Sequence, residues 1–89
     1  MSSFLGGSAY AMAHEIAEGF VQVTDRTYRS MGPGDLQKLA QEIDRHMREL
    51  RGEPSATDGP VELQARQRKL LRLRGALSIL RAHQSRTAR

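Results

Sequence analysis

The residues of this sequence that could take part in chemistry are three histidines, one glycine-rich turn and a run of cations. His14, His46 and His83 fall on three separate predicted elements, and no serine and carboxylate accompany them at the spacing of a nucleophilic triad. The turn at Gly32-Pro33-Gly34 lacks the further glycine and the lysine of a phosphate-binding loop. There is no cysteine, which excludes thiolate metal sites and disulfides. The sequence therefore predicts that the protein is not an enzyme and holds no cofactor or metal.

The cations are concentrated in the last third of the chain. Residues 61–89 contain eight Lys or Arg side chains against Glu62 alone, a net charge of +7, whereas residues 1–60 have a net charge of −3. The first interpretation of such a segment is a basic helix that is merely solvated, and the alternatives are a surface that meets an acidic protein or nucleic acid. Nucleic acid is the least favoured, because the cations surround the helix instead of lining one face among base-reading groups. The candidate partner-binding residues are Arg66, Arg68, Lys69, Leu71, Arg72, Arg74, Ile79 and Arg86.

Length and composition restrict the chain to one small domain. Its 89 residues, 38% of them hydrophobic and 27% charged, exclude a multi-step enzyme with its own substrate domain. A core of this size supplies only about 3 to 5 kcal/mol. We therefore expect protein partners, in a homo-oligomeric ring or a hetero-complex, to be part of the folded state. There is no basic leader and no apolar run long enough for a membrane span, so we expect a soluble protein made in the cytoplasm, without membrane contact.

The first 31 residues predict a short helix followed by strand structure. Residues 1–8 are predicted to be a flexible N-terminus, in which Ser8 caps a helix from Ala9 to Glu18 that Gly19 ends. From residue 20 to 31 the pattern changes to a period of two, with β-forming side chains on both sides of a polar stretch. This indicates a small β-hairpin, with one extended strand as the alternative. The β-forming side chains are Val21, Val23, Thr27 and Tyr28.

Two long amphipathic helices fill the remainder of the chain. We predict a helix over 35–51, a loop over 53–60, a basic helix over 61–84 and a tail over 85–89. The apolar stripe of the first of these helices consists of Leu36, Leu39, Ala40, Ile43, Met47 and Leu50. The leucine seam of the basic helix consists of Leu63, Leu70, Leu73, Leu77 and Leu80, widened by Ala76. The predicted fold class is α+β and mostly helical, with these two helices packed antiparallel across their stripes.

Two apolar side chains of the basic helix point away from the leucine seam. Leu71 and Ile79 lie roughly 100° and 180° from Leu70 around the helix axis. They could complete the core against the N-terminal helix, or they could form a contact between subunits. Because Arg68, Arg72 and Arg86 surround them, the second interpretation predicts an apolar centre with a cationic border, as in protein–protein contacts.

The first half of the chain resembles a family of phage proteins. Its features are a short helix, a brief hairpin that ends in Thr27-Tyr28-Arg29-Ser30, and a helix start at Pro33-Gly34-Asp35-Leu36 followed by Ile43 and Glu49-Leu50. Over residues 9–51 this pattern resembles the W family of small head–tail joining proteins of lambda-like phages. The resemblance implies a helix–hairpin–helix subunit in a ring beneath the portal, and hence a place in the virion.

The last helix is similar to a different family. From Leu63 to Leu80, after a loop and an earlier amphipathic helix, the pattern is similar to the small E-type co-chaperones of type III secretion needle subunits. That resemblance implies a helical hairpin that shields an aggregation-prone partner. Both resemblances imply a non-enzymatic protein whose helices pack against other chains. We expect a structural adaptor of a larger assembly, such as a phage head–tail connector. The co-chaperone and a small basic nucleic-acid-binding protein are the alternatives.

Overall fold

The computed structural model describes residues 7–52 and 59–87, and in these residues all regular secondary structure is helical. The predicted N-terminal segment 1–8 and loop 53–60 therefore lie mostly outside the described residues. The helices are α1 (Ala9–Glu18), α2 (Asp25–Arg29), α3 (Pro33–Gly52) and α4 (Pro60–Thr87). None of them has an apolar stretch long enough to cross a membrane.

The predicted α+β fold class is wrong, because residues 20–31 form neither a hairpin nor a strand. Residues 21–24 are irregular, and Thr24 then begins α2. The backbone N–H of Thr24 donates a hydrogen bond of 3.1 Å to Oγ1 of Thr27, which is one half of a capping box. Asp25 lies in the first turn, where the helix dipole favours an acid. The polar residues that suggested a hairpin turn are therefore a helix start.

The prediction for α1 is confirmed at both ends. Oγ of Ser8 accepts a hydrogen bond of 3.0 Å from the backbone N–H of Ala11. At the other end Gly19 has a φ of 83°, in the left-handed region, and its N–H reaches the carbonyl oxygens of the last turn. This left-handed residue turns the chain away from the helix axis. The next residue, Phe20, consequently leaves the apolar face of α1 and is 75% exposed.

Helix α3 begins at Pro33, two residues before the predicted start, and ends at Gly52. Proline is suited to the first helical turn because its missing N–H would have no partner there. The predicted apolar stripe faces the core, with only its last member, Leu50, half-buried. Its buried members are Leu36, Leu39, Ala40, Ile43 and Met47.

Helix α4 is longer than predicted and is rotated relative to the predicted seam. It continues through residues 85–87, which were expected to form a tail. Leu63 is 43% exposed, and Leu70 and Leu77 are only half-buried. The face of α4 that lies between these leucines is buried in the core, because α1, α2 and α3 all pack against this one helix. The buried residues of α4 are Leu73, Ala76, Leu80 and His83.

A candidate protein-binding groove beside α4

The basic residues of α4 are not a free cationic surface, because several contact the ends of other helices. Nη1 of Arg66 donates a hydrogen bond of 3.3 Å to the carbonyl oxygen of Leu50, near the end of α3. The last carbonyl groups of a helix have no intrahelical partner and carry the negative end of its dipole. Arg66 therefore stabilises the C-terminal end of α3, and part of the positive charge of Arg66 interacts with groups of the chain itself.

The C-terminal end of α1 receives two more cations from α4. Nη1 of Arg72 donates a hydrogen bond of 2.9 Å to the carbonyl oxygen of Ala17. Nζ of Lys69 lies 2.8 Å from Oε2 of Glu18, and this hydrogen bond lowers the pKa of the Glu18 carboxyl. A side chain at Gly19 would be crowded, because an added Cβ would lie 3.1 Å from Cζ of Arg72. The glycine thus allows the guanidinium to approach the end of α1.

Arg86 belongs to a network around Asp25, at the start of α2. Nδ1 of His83 lies 3.0 Å from Oδ1 of Asp25, and Arg86 contacts the same oxygen atom. Nε of Arg29 is 3.1 Å from the other oxygen, Oδ2. The pKa of Asp25 is lowered, mainly by the hydrogen bond with His83 and then by those with Arg29 and Arg86. This network attaches α2 to the last turns of α4.

Arg68 and Arg74 differ from the other predicted cations. Both are exposed, and within the described residues neither forms an ion pair or a side-chain hydrogen bond. They lie three residues before and three residues after Leu71, on the outer surface of α4. These two side chains are therefore the predicted cations that the fold leaves available for a partner.

Leu71 and Ile79 line one groove but contribute differently to the fold. Leu71 is 61% exposed, whereas Ile79 is half-buried and packs against the core. The groove has a volume of about 490 Å³ and lies between α4 and residues 19–24. Ile79 therefore packs against the core and also lines the groove, whereas Leu71 belongs to the surface. The other apolar lining residues are Ile16, Val21, Val23 and Ala76.

Gly75 lies midway between Leu71 and Ile79, four residues from each. A Cβ atom added at this glycine would have no neighbouring atom within 4 Å. Residues four apart lie above one another on a helix, so the missing side chain leaves a notch between two apolar ones. Val21 and Val23 are on the opposite wall. The arrangement has the size and polarity to hold an apolar side chain of another molecule.

Sequence reasoning missed the wall opposite α4. The sequence pattern assigned Val21 and Val23 to a strand. The structure places the two valines, half-buried, in the groove lining, directly after the exposed Phe20. Gly19 was the available signal, because a left-handed glycine after a helix redirects the chain.

A second depression lies where α2, α3 and the end of α4 meet. Its volume is about 600 Å³. Its lining offers at least as much apolar surface as that of the groove beside α4, and it includes Met31, Pro33 and Leu36. None of the predicted partner-binding residues lines it. The groove beside α4 is therefore the better candidate site.

The three histidines lie at two separate places in the described part of the chain. The rings of His14 and His46 lie 6.4 Å apart, and that of Tyr10 is 4.8 Å from His46, where α1 meets α3. His83 is distant in sequence and engaged with Asp25. No group of three His, Asp or Glu side chains among the described residues could hold a metal ion.

Comparison with known proteins gives no relative from which a function could be transferred. The chain matches no family model, no curated protein and no solved structure. The functional argument therefore depends on the groove and on the charges around it.

Proposed function

We propose that this protein is a non-enzymatic adaptor, a small helical subunit that binds a partner protein through the groove between α4 and residues 19–24. The observation that carries the proposal is the exposure of Leu71 at the edge of a groove whose lining is about half apolar. Val21 and Val23 in the groove lining extend the apolar surface, and the exposed Phe20 directly precedes Val21 in the chain.

The composition of this surface supports a protein partner. Burying a leucine side chain that is now in water contributes about 1.5 to 3 kcal/mol, enough for an anchor residue. Arg68, Arg72 and Arg74 stand around Leu71, and arginine is enriched in protein interfaces. An apolar centre with an arginine border is the arrangement in which desolvated anchors supply energy and charges orient the encounter.

A phage head–tail connector remains our prediction for the assembly, with the virion as destination. The support comes from the sequence resemblance over residues 9–51, of which the helix α1 and the start of α3 persist in the fold. The hairpin that formed the middle of that resemblance is replaced by the short helix α2. A ring subunit would use the groove to contact a neighbouring protein of the neck.

A secretion co-chaperone is the second candidate, and one observation favours it. The described residues contain no strand, and the long helices α3 and α4 pack against each other. This is the helical hairpin that the similarity to the E-type co-chaperones implies. In that function the groove would cover an apolar segment of a needle subunit.

Nucleic-acid binding receives less support. Arg66, Lys69, Arg72 and Arg86 each contact groups of the chain itself. A phosphate backbone would have to compete with these contacts. The apolar side chains of the groove cannot neutralise phosphates.

The test is the mass of complexes formed with the products of neighbouring genes, measured by native mass spectrometry. We expect a complex with one of these products that Leu71→Asp disrupts while circular dichroism stays unchanged. Val61→Asp is the matched control, since Val61 is 72% exposed on the same helix but does not line the groove. A complex that tolerates Leu71→Asp, or a protein that stays monomeric with every product, would contradict the proposal.

A further inference from the structure

We infer that the partner segment is an acidic amphipathic helix that places one large apolar side chain in the notch over Gly75. This inference depends on the proposed function and adds the chemistry and the position of the contact. This inference is supported by the empty notch, by the arginines near it and by the repulsion expected between two copies of this surface.

The notch has the geometry of a site for one anchor side chain. Leu71 and Ile79 lie eight residues apart, which separates them by about 12 Å along a helix. Gly75 lies between them, and space for a side chain above it is empty. Val21 and Val23 close the opposite side. An apolar residue inserted here would contact both walls, as in the helix-in-groove mode of recognition.

The charges around the notch favour an acidic partner. Arg68 and Arg74 are exposed and form no ion pair within the described residues. Arg72 lines the groove and donates a hydrogen bond to a carbonyl oxygen, and that contact does not neutralise its positive charge. Glu18 is the one acid of the groove lining, and Lys69 pairs with it. The border therefore carries a net positive charge.

The same charges argue against a two-fold symmetric dimer of the chain through this surface. In a two-fold symmetric dimer the same patch appears on both subunits, so the arginines of one copy would face those of the other. Like charges brought together across an interface oppose association. A different, acidic molecule is the occupant that these observations favour.

Gly75 provides a variant that blocks the notch without removing a contact of the fold. Gly75→Leu fills the space, and we expect it to raise the melting temperature, because glycine is a poor helix former. Gly75→Ala is the matched control, since it gives the same helical benefit but leaves most of the notch open. Loss of binding in Gly75→Leu alone would thus come from the filled notch and not from unfolding.

The probe is a displayed library of helical 18-residue peptides, selected for binding to the wild-type protein. We expect the enriched peptides to be rich in Asp and Glu and to share one large apolar residue. Their affinity, measured by fluorescence anisotropy, should fall at least tenfold in Gly75→Leu and in the double variant Arg68→Glu with Arg74→Glu. It should change less than threefold in Gly75→Ala and in Arg81→Glu, a reversal at an exposed arginine ten residues from Leu71 along α4.

Several results would overturn the inference. They are the absence of any enriched peptide, enriched peptides that are basic or neutral, and acidic peptides that bind Gly75→Leu as tightly as the wild type. Sedimentation of the protein alone provides one more, since a dimer that Gly75→Leu dissociates would assign the notch to a second copy. The proposed function has its own test, because complexes that still form with Leu71→Asp would contradict it. A complex that requires Leu71 but tolerates Gly75→Leu would support the proposed adaptor function and contradict this inference.

Discussion

The phenol of Tyr28 donates a hydrogen bond of 2.8 Å to the carbonyl oxygen of Ala76, across 48 residues of sequence. Tyr28 is fully buried, and Ala76 is on the buried face of α4. The bond joins the short helix α2 to the middle of the longest helix, close to the groove that Ala76 also lines. A five-residue helix cannot be stable alone, so this contact and the Asp25 network hold it in place.

Tyr28→Phe should destabilise the fold by about 1 to 2 kcal/mol, since it removes a buried hydrogen bond but preserves the packed ring. Burial also raises the pKa of Tyr28, because the phenolate is disfavoured away from water. The neutral phenol therefore contributes fully below its ordinary pKa of 10.0, and this contribution is lost as the pH rises above it.

The measurement is the free energy of unfolding in urea between pH 8 and 11. We expect a steeper alkaline loss in the wild type than in Tyr28→Phe. Tyr10→Phe is the control, because Tyr10 is 52% exposed. Equal alkaline slopes for the wild type and Tyr28→Phe would show that Tyr28 is not buried in solution.

Asp25→Asn should destabilise the protein at neutral pH and flatten its response to acid. The pKa of Asp25 lies below its ordinary value of 3.8, first because of the hydrogen bond with His83. The carboxylate therefore stabilises the fold above about pH 4, and that stabilisation is lost as the pH falls through the folded-state pKa. Thermal melts between pH 2 and 7 would show it.

The control for this variant is Asp44→Asn. Asp44 pairs with Arg48 on the exposed surface of α3, at 3.3 Å, and contacts of this kind contribute little. We expect its melting curve to follow the wild type over the whole pH range. If Asp44→Asn and Asp25→Asn behave alike, the Asp25 network does not hold α2 in solution.

Ile43→Ala and Leu73→Ala should each lower the free energy of unfolding by about 2 to 5 kcal/mol, because both side chains are fully buried and each truncation leaves a cavity. Leu71→Ala, two residues from Leu73 on the same helix, should change it by no more than about 0.5 kcal/mol. Chemical denaturation measures all three. A large effect of Leu71→Ala would place that residue in the core and remove it from the proposed interface.

Binding to random duplex DNA should be weak and should disappear near physiological salt. Arg68, Arg74 and Arg81 are the cations of α4 that form neither an ion pair nor a side-chain hydrogen bond within the described residues. At about −0.9 per phosphate neutralised, three contacts give a log–log salt slope near −3. Fluorescence anisotropy against salt concentration measures this slope. Binding that is sequence-selective, or that persists at high salt, would make nucleic acid the partner.

Local sequence was sufficient for much of the helical structure. The ends of α1 follow from Ser8 and Gly19, whose capping contacts involve only neighbouring residues. The stripe of α3 could be predicted because a period of 3.6 residues over several turns is itself the signature of a helix with one buried face. The exposed Leu71 and the cations around it were also visible as a candidate contact.

The fold class could not be read from residues 20–31. Side chains such as Val21, Val23 and Tyr28 favour strands only where a neighbouring strand receives them, so their preference depends on tertiary context. Here they have no strand partner in the described residues. Tyr28 instead reaches α4, and the valines line a groove.

The tertiary structure alone decided which surface of α4 is buried and what its cations do. Three helices pack on α4, which places the buried face at Leu73 and Leu80 and leaves Leu63 exposed. The ends of α1 and α3 meet α4 beside Arg72 and Arg66, so charges that looked free in the sequence stabilise helix termini. A pattern along one helix cannot contain this information, because the positions of those ends are set by the packing of the other helices.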